Sequence, residues 1–443
     1  MKRYLFLIFI KTISILTLIS CYLNLPKFIA LIFVISLRKN KLIKYSKKIN
    51  KTIIVLDKSF GNDDLISAFK NNDSKIEFLM MQRRLIRVIF DYYFGKIKNK
   101  KFIKNNTLYF SKNKIIIKQQ LKYRDFLFKI FEFVFTLRKI DGFLSFNLFY
   151  ITDFELQNVS LKLNKKFLVS HKESIILVNE VRNMLPKYWN KRFKFSNVSA
   201  VNVYNNYTKK NILDSKVLKN NNIFVSGMPR SDQFYTNKQS GQKYILFLMY
   251  QHTAGLPCPG NEWIKYGLTT EIKKFTWEKN ANLTTKYMLN YAKKNPDKKF
   301  IFKTKPGFSK NQINLVNSSN LKNCKLIVGG GNTGELIRNS YIIIALNTTG
   351  LLEGMILDKN LITTNFDNYN KSNKEIFIFK PKNLVNYITD QKKFFILLDK
   401  LSKRKKKLKP NTVFKRKVLK NHFVFLDGKS GKRFRKFLYK NMN

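Results

Sequence analysis

A short turn between two apolar segments carries residue types that suit the binding of an anion. Residues 342–346 form a branched apolar run, which is typical of a parallel strand covered on both faces. The run ends at Asn347, Thr348, Thr349 and Gly350, where a helical spacing of apolar residues begins. Backbone N–H groups and the positive end of the helix dipole meet at such a turn. The pattern therefore predicts a strand, an anion-binding turn and a helix.

Glu353 adds an acidic group to this turn. It lies three to four residues beyond Thr349 and Gly350, so its carboxylate can stand one turn below them on the same helical face. The turn could then bind a phosphate while Glu353 binds a sugar hydroxyl. Alternatively, the turn only caps the helix and Glu353 is a solvated acid that favours the dipole, and the spacing fits both interpretations.

The composition indicates more than one domain and a strong positive charge. A chain of 443 residues is long enough for two separate cores. Its 85 Lys and Arg outnumber 27 Asp and Glu, and the formal charge of +58 would attract nucleic acid, anionic lipid or phosphorylated substrates. The lysines are dispersed among many Asn, Ile and Phe, however, as in a proteome that has drifted toward A/T-rich codons. The charge alone therefore does not identify which of these partners the protein binds.

Cysteine and histidine are too sparse to indicate a metal centre. The three cysteines are widely separated and follow no ligand spacing, which favours a reducing compartment without a disulfide framework. These residues are Cys21, Cys258 and Cys324. Only three histidines are available as metal ligands or members of a catalytic triad, and they are His171, His252 and His422. We therefore expect no bound metal.

The amino-terminal segment at residues 4–37 is almost entirely apolar and belongs in or on a membrane. Lys11 and Pro26 interrupt it, so neither apolar half reaches the roughly 20 residues of a membrane span. Basic residues stand on both sides, which favours a re-entrant hairpin with both ends on the cytoplasmic face of the inner membrane over a kinked span. Two alternatives stay open. Residues 18–21 resemble the lipobox of a bacterial lipoprotein signal, and the segment could instead be a buried helical hairpin of the first domain.

The rest of the chain alternates between strand and helix patterns in two series. The first begins at residue 51 and the second at residue 244, after a linker-like stretch at 235–243. Such alternation implies parallel sheets, and hence an α/β protein with two Rossmann-like domains facing one cleft. The predicted divisions are a membrane-associated segment, an acceptor domain, a donor domain and a basic tail, at 1–48, 49–225, 226–400 and 401–443.

Three motifs in order along the chain resemble a known group of proteins. They are "VSGMPRSDQF" at 225–234, "NTTGLLEGM" at 347–355 and the later "DGKSGKR" at 427–433. With them the chain is similar, over residues 145 to 435, to bacterial surface-carbohydrate biosynthesis proteins. These are relatives of capsule-polysaccharide and CDP-glycerol-type transferases with the two-domain GT-B glycosyltransferase fold. The resemblance implies that a nucleotide-activated sugar binds mainly to the second domain and the acceptor to the first.

The resemblance also assigns residues to the donor site. Gly227, Arg230 and Asp232 match the family's G-x-P-R-x-D turn, where Arg230 could fork onto phosphate or onto Asp232. A structural Arg230–Asp232 pair at the hinge is the alternative. Lys305 ends a predicted strand in "FKTKPG", where many relatives carry a histidine, and could be a phosphate counter-charge or a plain surface lysine.

On the acceptor side the resemblance predicts a general base at the end of a first-domain strand. Glu173 and His171 occupy that position, and we expect Glu173 to be the base with His171 as its partner, unless His171 is only a polar strand-end residue. No Asp-x-Asp motif occurs in a suitable loop. Helix amides at Thr348, Thr349 and Gly350, with cations, would then stabilise the leaving phosphate without a metal or other cofactor, and Glu353 would accept from donor hydroxyls.

The sequence therefore predicts a metal-independent glycosyltransferase of surface-polysaccharide biosynthesis. Its expected partners are a nucleotide sugar, a polysaccharide or lipid-linked acceptor and an anionic membrane surface, with no specific nucleic acid. One alternative is a transferase of polyol phosphate. Others are a non-catalytic nucleic-acid-binding protein, which would need its basic and aromatic residues on one platform, and an inactive scaffold for polysaccharide assembly.

Overall fold

The computed structural model describes most of the chain and divides it into two compact units. The described residues are 2–57, 59–95, 109, 112–193, 196–236, 243–255, 276–305, 309–330, 332–367, 377–403 and 412–442. Unit 1 comprises Met1–Ser174, Trp189–Arg230 and Lys429–Asn443, and unit 2 comprises Ile175–Tyr188 and Ser231–Gly428. Cys258, most of the predicted linker and most of the basic run after Lys400 lie outside the described residues.

Unit 1 contains a seven-stranded sheet in the order β1-β3-β2-β4-β5-β6-β7. All neighbouring strands are parallel except β1, which pairs antiparallel with β3 at one edge. The inner strands are apolar on both faces, as expected of a sheet covered by helices on both sides. The strands are β1 Arg38–Lys39, β2 Lys51–Asp57, β3 Ile76–Gln82, β4 Gly142–Ser145, β5 Lys166–Ser170, β6 Ala200–Val203 and β7 Ile223–Val225.

Unit 2 contains a six-stranded, fully parallel sheet in the order β10-β9-β8-β11-β12-β13. Because parallel strands share one direction, their carboxyl ends lie along one edge of the sheet. The strands are β8 Tyr244–Leu248, β9 Phe300–Thr304, β10 Cys324–Val328, β11 Ser340–Ala345, β12 Asn360–Thr364 and β13 Asn386–Ile388. Two parallel sheets confirm the predicted α/β class, while the assignment to the GT-B fold still rests on the sequence resemblance.

Sixteen helices lie within the described residues. Those of the amino-terminal half are α1 Lys2–Tyr22, α2 Pro26–Ser36, α3 Ser59–Phe69, α4 Arg83–Gly95, α5 Lys114–Leu137, α6 Ile151–Lys162, α7 Asn179–Arg192 and α8 Asn206–Asp214. Those of the carboxy-terminal half are α9 Gln233–Thr236, α10 Glu278–Lys294, α11 Lys310–Ser318, α12 Thr333–Asn339, α13 Thr349–Ile356, α14 Gln391–Lys403, α15 Thr412–Phe423 and α16 Ser430–Met442.

The end of the chain returns to the core of unit 1. Helix α16 packs against α3, and its Phe434, Phe437 and Leu438 are buried among side chains of β2 to β6. The turn before it contains Gly428 with φ +65°, a conformation that glycine adopts without the strain of a side chain. The predicted basic tail thus ends in a helix that completes a hydrophobic core.

The apolar amino terminus forms two helices joined by a short turn. Helix α1 contacts α4 and α2, and α2 contacts α5 through the Phe33 and Phe131 rings, whose centroids are 5.7 Å apart. Within the described part of the chain, no helix combines the length and apolar character needed to cross a bilayer. The helical part of the prediction is confirmed, and the membrane location stays a prediction.

Candidate functional site

The turn between β11 and α13 lies at the carboxyl edge of the unit 2 sheet, as the sequence predicts. Thr348 is the N-cap of α13, and its hydroxyl accepts from the Gly350 N–H at 3.5 Å. The Leu351 N–H bonds to the Thr348 carbonyl at 3.0 Å, whereas the Thr349 N–H has no acceptor among the described residues. Thr348 and Thr349 are both partly exposed. An unused amide at a helix start is the feature that binds an anion.

Neighbouring side chains fix the shape of this turn. Asn347 adopts a left-handed backbone with φ +48°. Its amide nitrogen donates to the carbonyls of Ala254 and Phe377 at 3.1 and 2.7 Å, and its amide oxygen accepts from the Phe379 N–H at 2.9 Å. A Cβ at Gly350 would come within 2.3 Å of Leu248 Cδ1, so a larger residue there would require the Leu248 side chain to move. Asn347 therefore shapes the turn and has its side-chain amide already engaged.

Lys303 stands at the same edge of the sheet, two strands away from the turn. Its ammonium is buried and donates to the carbonyls of Thr304 at 2.6 Å and Gly329 at 3.4 Å. No carboxylate among the described residues pairs with it, and burial lowers the pKa of Lys303. Since adjacent strands lie about 4.8 Å apart, β9 and β11 are separated by about 10 Å, a distance that a nucleotide diphosphate can span.

The two other predicted unit 2 residues differ in exposure. Lys305 is exposed just beyond the end of β9, and the loop that follows it lies outside the described residues. Glu353 is buried, with 7% of its surface accessible, in the second turn of α13. Glu353 is therefore not the solvated acid of the alternative interpretation. Of the two lysines Lys303 and Lys305, Lys303 is the buried one, and the sequence analysis had assigned it no role.

The Gly227–Arg230 turn belongs to unit 1 and follows β7. Gly227 has φ +80°, which accounts for the glycine in this tight exit from a strand. The Arg230 guanidinium donates to Asp64 Oδ2 at 2.9 Å and to the Tyr204 hydroxyl at 3.3 Å, and the Tyr204 hydroxyl in turn donates to Asp64. Asp64 is fully buried, and the side chain of Arg230 is 20% exposed. The sequence had proposed Asp232 as the partner of Arg230, whereas the structure provides Asp64.

Helix α3 holds this turn through further contacts. The backbone N–H of Arg230 donates to Asp64 Oδ1 at 3.2 Å, and the Ser67 hydroxyl donates to the Pro229 carbonyl at 3.0 Å. Beside them Asp63 is exposed, yet partial burial of its carboxyl and the neighbouring Asp64 raise its pKa, against a lowering effect of Arg230. Asp232 lies in unit 2. Burial is the main cause of the raised pKa of the Tyr235 phenol, and the charge of Asp232 raises that pKa further.

His171 lies directly after β5 and is buried against aromatic rings. Its Nδ1 accepts the Leu148 N–H at 3.3 Å, and its ring meets the Phe149 ring edge-on at 5.4 Å. Burial, and secondarily Lys172, lower the pKa of His171 to about 3. The imidazole is therefore neutral at physiological pH and a poor proton acceptor.

Glu173 is exposed two residues further along. Burial is the main cause of the raised pKa of the Tyr150 phenol, and the charge of Glu173 raises that pKa further, so the two side chains are near each other. The edge around it contains buried polar atoms without partners among the described residues, namely Ser170 Oγ, His171 Nε2 and both amide atoms of Asn202. Ser170 and Asn202 are register partners on β5 and β6. Ordered water or a hydroxylated ligand would satisfy such groups.

The described residues contain no group of three or more His, Cys, Asp or Glu side chains arranged to hold a metal ion. The polar groups at the two sheet edges are instead cations, hydroxyls, amides and single carboxylates. At the unit 2 edge, they can stabilise an anion through a helix start and a buried ammonium. At the unit 1 edge, exposed carboxylates can accept a proton.

Comparisons with known proteins add fold-level likenesses only. No protein-family profile and no curated protein sequence matches the chain. Among solved structures, the UDP-GlcNAc 2-epimerase of Methanocaldococcus jannaschii, in complex with UDP-GlcNAc and UDP, is 18% identical with a TM-score of 0.43, covering 88% of this chain and 100% of its own.

Two further structures match at a similar level. The Neisseria meningitidis UDP-GlcNAc 2-epimerase bound to UDP-GlcNAc is 14% identical with a TM-score of 0.46, covering 88% of this chain and 100% of its own. The wall teichoic acid polymerase TagF is 13% identical with a TM-score of 0.42, covering 68% of this chain and 73% of its own. All three TM-scores lie below 0.5, so these likenesses carry no functional argument.

Proposed function

We propose that this protein is a transferase of surface-polysaccharide biosynthesis that moves a sugar from a nucleotide-activated donor to a polysaccharide or lipid-linked acceptor. The proposal joins the sequence resemblance to the geometry of unit 2. In it, the donor phosphates bind at the β11–α13 turn, and the acceptor is activated at the carboxyl edge of the unit 1 sheet.

The observation that carries the proposal is the pairing of an open helix start with a buried, unneutralised cation. The Thr349 N–H has no acceptor among the described residues, and Lys303 has only carbonyl partners. A buried ammonium without a counter-charge costs several kcal/mol, a cost that an anionic ligand would offset. Both features stand at the edge where ligands of parallel sheets bind.

This arrangement suits the departure of a nucleotide diphosphate. In glycosyl transfer the bond from the sugar carbon to the phosphate oxygen breaks, and negative charge grows on the leaving diphosphate. The Thr349 amide and the Lys303 ammonium would stabilise that charge without a metal, and fixed donors of this kind lower the barrier because they need no reorganisation. Glu353 would accept a hydrogen bond from a donor hydroxyl, and Lys305 would add a screened surface charge.

The acceptor hydroxyl must lose a proton as the new bond forms. Two exposed carboxylates of unit 1 suit this role, Glu173 after β5 and Asp63 in α3. The raised pKa of Asp63 brings it closer to the range of an effective general base. His171 is neutral at physiological pH because its pKa is about 3. It instead positions the loop after β4, since its Nδ1 accepts the Leu148 N–H.

A polyol-phosphate transferase is the second candidate, because the CDP-glycerol-type relatives share the motifs. The two reactions break different bonds. Glycosyl transfer from a nucleoside-diphosphate sugar releases a nucleoside diphosphate, whereas transfer of a polyol phosphate breaks the pyrophosphate bond and releases a nucleoside monophosphate. The released nucleotide therefore distinguishes them.

The test is to incubate the purified full-length chain with nucleotide sugars and CDP-polyols in the presence of bacterial membranes, and to measure the released nucleotide by mass spectrometry. We expect release that depends on the membranes and falls at least about tenfold in Thr349→Pro, which removes the amide. Thr349→Ser, which keeps the amide, is the matched control. Equal release by wild type and Thr349→Pro would contradict the proposed donor site.

A further inference from the structure

Helix α1 has the reverse of the polarity expected of a helix in a water-soluble domain. Its side toward the protein includes small, hydroxyl-bearing residues, and Ser14, Thr17 and Ser20 are all buried. These hydroxyls donate to the carbonyls of Ile10, Ile13 and Leu16, four residues earlier, at 2.6 to 2.7 Å. A helix at a water surface would place its polar residues outward and its apolar residues inward.

The outward side of α1 is apolar. Four large side chains recur along it at the spacing of one helical face and are 46%, 59%, 48% and 62% exposed: Ile8, Ile15, Ile19 and Tyr22. Leu16 and Leu18 beside them are each 38% exposed. Small residues at a helix contact and large apolar residues outside are the arrangement that lipid favours.

Helix α2 continues the same surface. Phe28, Leu31 and Ile35 follow a spacing of three and four residues and are 44%, 42% and 72% exposed. The opposite side of α2, including Ile29 and Phe33, is fully buried. We call the exposed side chains Ile8, Ile15, Ile19, Phe28, Leu31 and Ile35 the outward apolar face, and leave out Tyr22 because its ring meets the Tyr92 ring of α4 edge-on at 4.9 Å.

The charged residues of the two helices and of the segment that follows them up to residue 56 are all basic. The first acidic residue of the chain is Asp57, whereas Lys11, Lys27 and Lys41 are exposed on or next to the two helices. Lys39, nearby, is already paired with Glu77 at 3.1 Å. Basic residues next to an apolar surface fit the negative headgroups of a bilayer leaflet. A second copy of the same face would bring like charges together.

We propose that the outward apolar face inserts into an anionic bilayer leaflet, with α1 and α2 lying on the membrane rather than crossing it. The inward sides of both helices are already used in packing within unit 1, so only the outward sides are available to lipid. Helices of this kind enter the headgroup and acyl boundary by about 5–10 Å. This inference does not rest on the proposed transfer reaction.

The first experiment is flotation of the full-length protein with vesicles of phosphatidylcholine alone or mixed with phosphatidylglycerol. The apolar variant Ile19→Ser/Leu31→Ser/Ile35→Ser should lose at least about tenfold in vesicle partitioning. The control Leu161→Ser/Ile396→Ser/Val413→Ser changes three residues that are 65%, 66% and 79% exposed elsewhere. It should float as the wild type does.

The charge variant Lys11→Gln/Lys27→Gln/Lys41→Gln should lose the preference for phosphatidylglycerol and the sensitivity to salt. Its control, Lys286→Gln/Lys293→Gln/Lys294→Gln on α10, removes equal charge from exposed positions and should keep both.

Insertion is distinguished from adsorption by tryptophan fluorescence. Lipids brominated in their acyl chains should quench Ile35→Trp more strongly than Ile396→Trp, because only the first position would reach the acyl chains. Equal quenching, or an apolar variant that floats as well as wild type, would overturn the proposal. So would a wild type that ignores vesicles and forms dimers that the apolar substitutions dissociate, since the face would then be a self-association surface.

Discussion

Each unit has a cation at the carboxyl edge of its parallel strands, and the electrostatic surroundings of the two cations differ. In unit 1, Arg230 binds a fully buried carboxylate, Asp64, which also accepts from Tyr204. In unit 2, buried Lys303 has only carbonyl oxygens as partners, and it lies two strands away from a helix whose first amide has no acceptor among the described residues.

A cation at a strand end is a candidate ligand-binding group when the protein leaves its charge uncompensated. Arg230 is already matched by Asp64, and its main effect is to fix the turn to α3. Lys303 pays a desolvation cost with no protein counter-charge, which is the condition under which a bound phosphate adds most. Arg230 and Asp64 thus form a structural clamp between this turn and α3.

The largest expected effect comes from removing the carboxylate of the clamp. Asp64→Asn would leave the Arg230 guanidinium without its negative partner in a largely buried position, which costs about 2–4 kcal/mol of unfolding free energy. Urea unfolding measures this. The exposed neighbour provides the control, since Asp63→Asn should change stability by less than about 0.5 kcal/mol. Similar stabilities for both variants would mean that Arg230 is not clamped.

His171 is a buried group of unit 1 that stays uncharged in the folded protein. Burial lowers its folded-state pKa from 6.5 to about 3, so the stabilisation is complete above pH 6.5 and is lost as the pH falls toward 3. Between pH 6.5 and 5 the loss amounts to about 2 kcal/mol at about 1.4 kcal/mol per pH unit. Unfolding of His171→Asn, whose amide oxygen can replace Nδ1, should depend less on pH over this interval. An unchanged pH dependence would show that His171 is protonated in the folded protein.

Removing Lys303 should have the opposite sign from removing Asp64. Lys303→Met keeps the volume of the side chain and deletes a buried charge, so stability without ligand should stay equal or rise by about 1 kcal/mol. Thermal unfolding of ligand-free protein measures this, with exposed Lys305→Met as the control. A loss of stability comparable to that of Asp64→Asn would show that Lys303 has a counter-charge.

The smallest expected effect concerns the cap of α13. The hydrogen bond from Gly350 to Thr348 is long, at 3.5 Å, so Thr348→Ala should cost only about 0.5 kcal/mol. The Asn205 side chain of α8, which accepts from the Thr208 N–H at 2.8 Å and donates to the Ser174 carbonyl, is the contrasting cap. Asn205→Ala should cost more in the same urea titration. A reversed order would mean that the β11–α13 turn is held by its cap and is not open.

Local pattern accounts for much of the fold and of the unit 2 turn. The strand, turn and helix that begin at residue 342 were predicted in order because branched apolar runs and helical spacing are local signals. Strand β6 was not recognised, since it has four residues and one of them is Asn202. The packing of α16 into unit 1 was missed because its partners are hundreds of residues away.

The candidate site was predicted only in part, because some of its contacts join residues that are far apart in the sequence. Arg230 was singled out by its motif, but Asp64 lies 166 residues earlier, and no local spacing joins the two. The sequence analysis assigned a role to Lys305, just beyond the strand, and only the three-dimensional structure shows that Lys303, inside β9, is the buried lysine. Burial also distinguishes His171 from Glu173, which the sequence had placed together.

The donor phosphate site is tested by calorimetric titration of nucleoside diphosphates and nucleotide sugars into wild type, Lys303→Met and Lys305→Met. We predict that one nucleotide binds the wild type, that Lys303→Met weakens it at least about tenfold through loss of a charge-assisted contact, and that Lys305→Met changes it little. Equal affinity of wild type and Lys303→Met for that nucleotide, or binding of no nucleotide at all, would contradict the assignment of the unit 2 edge as the donor phosphate site.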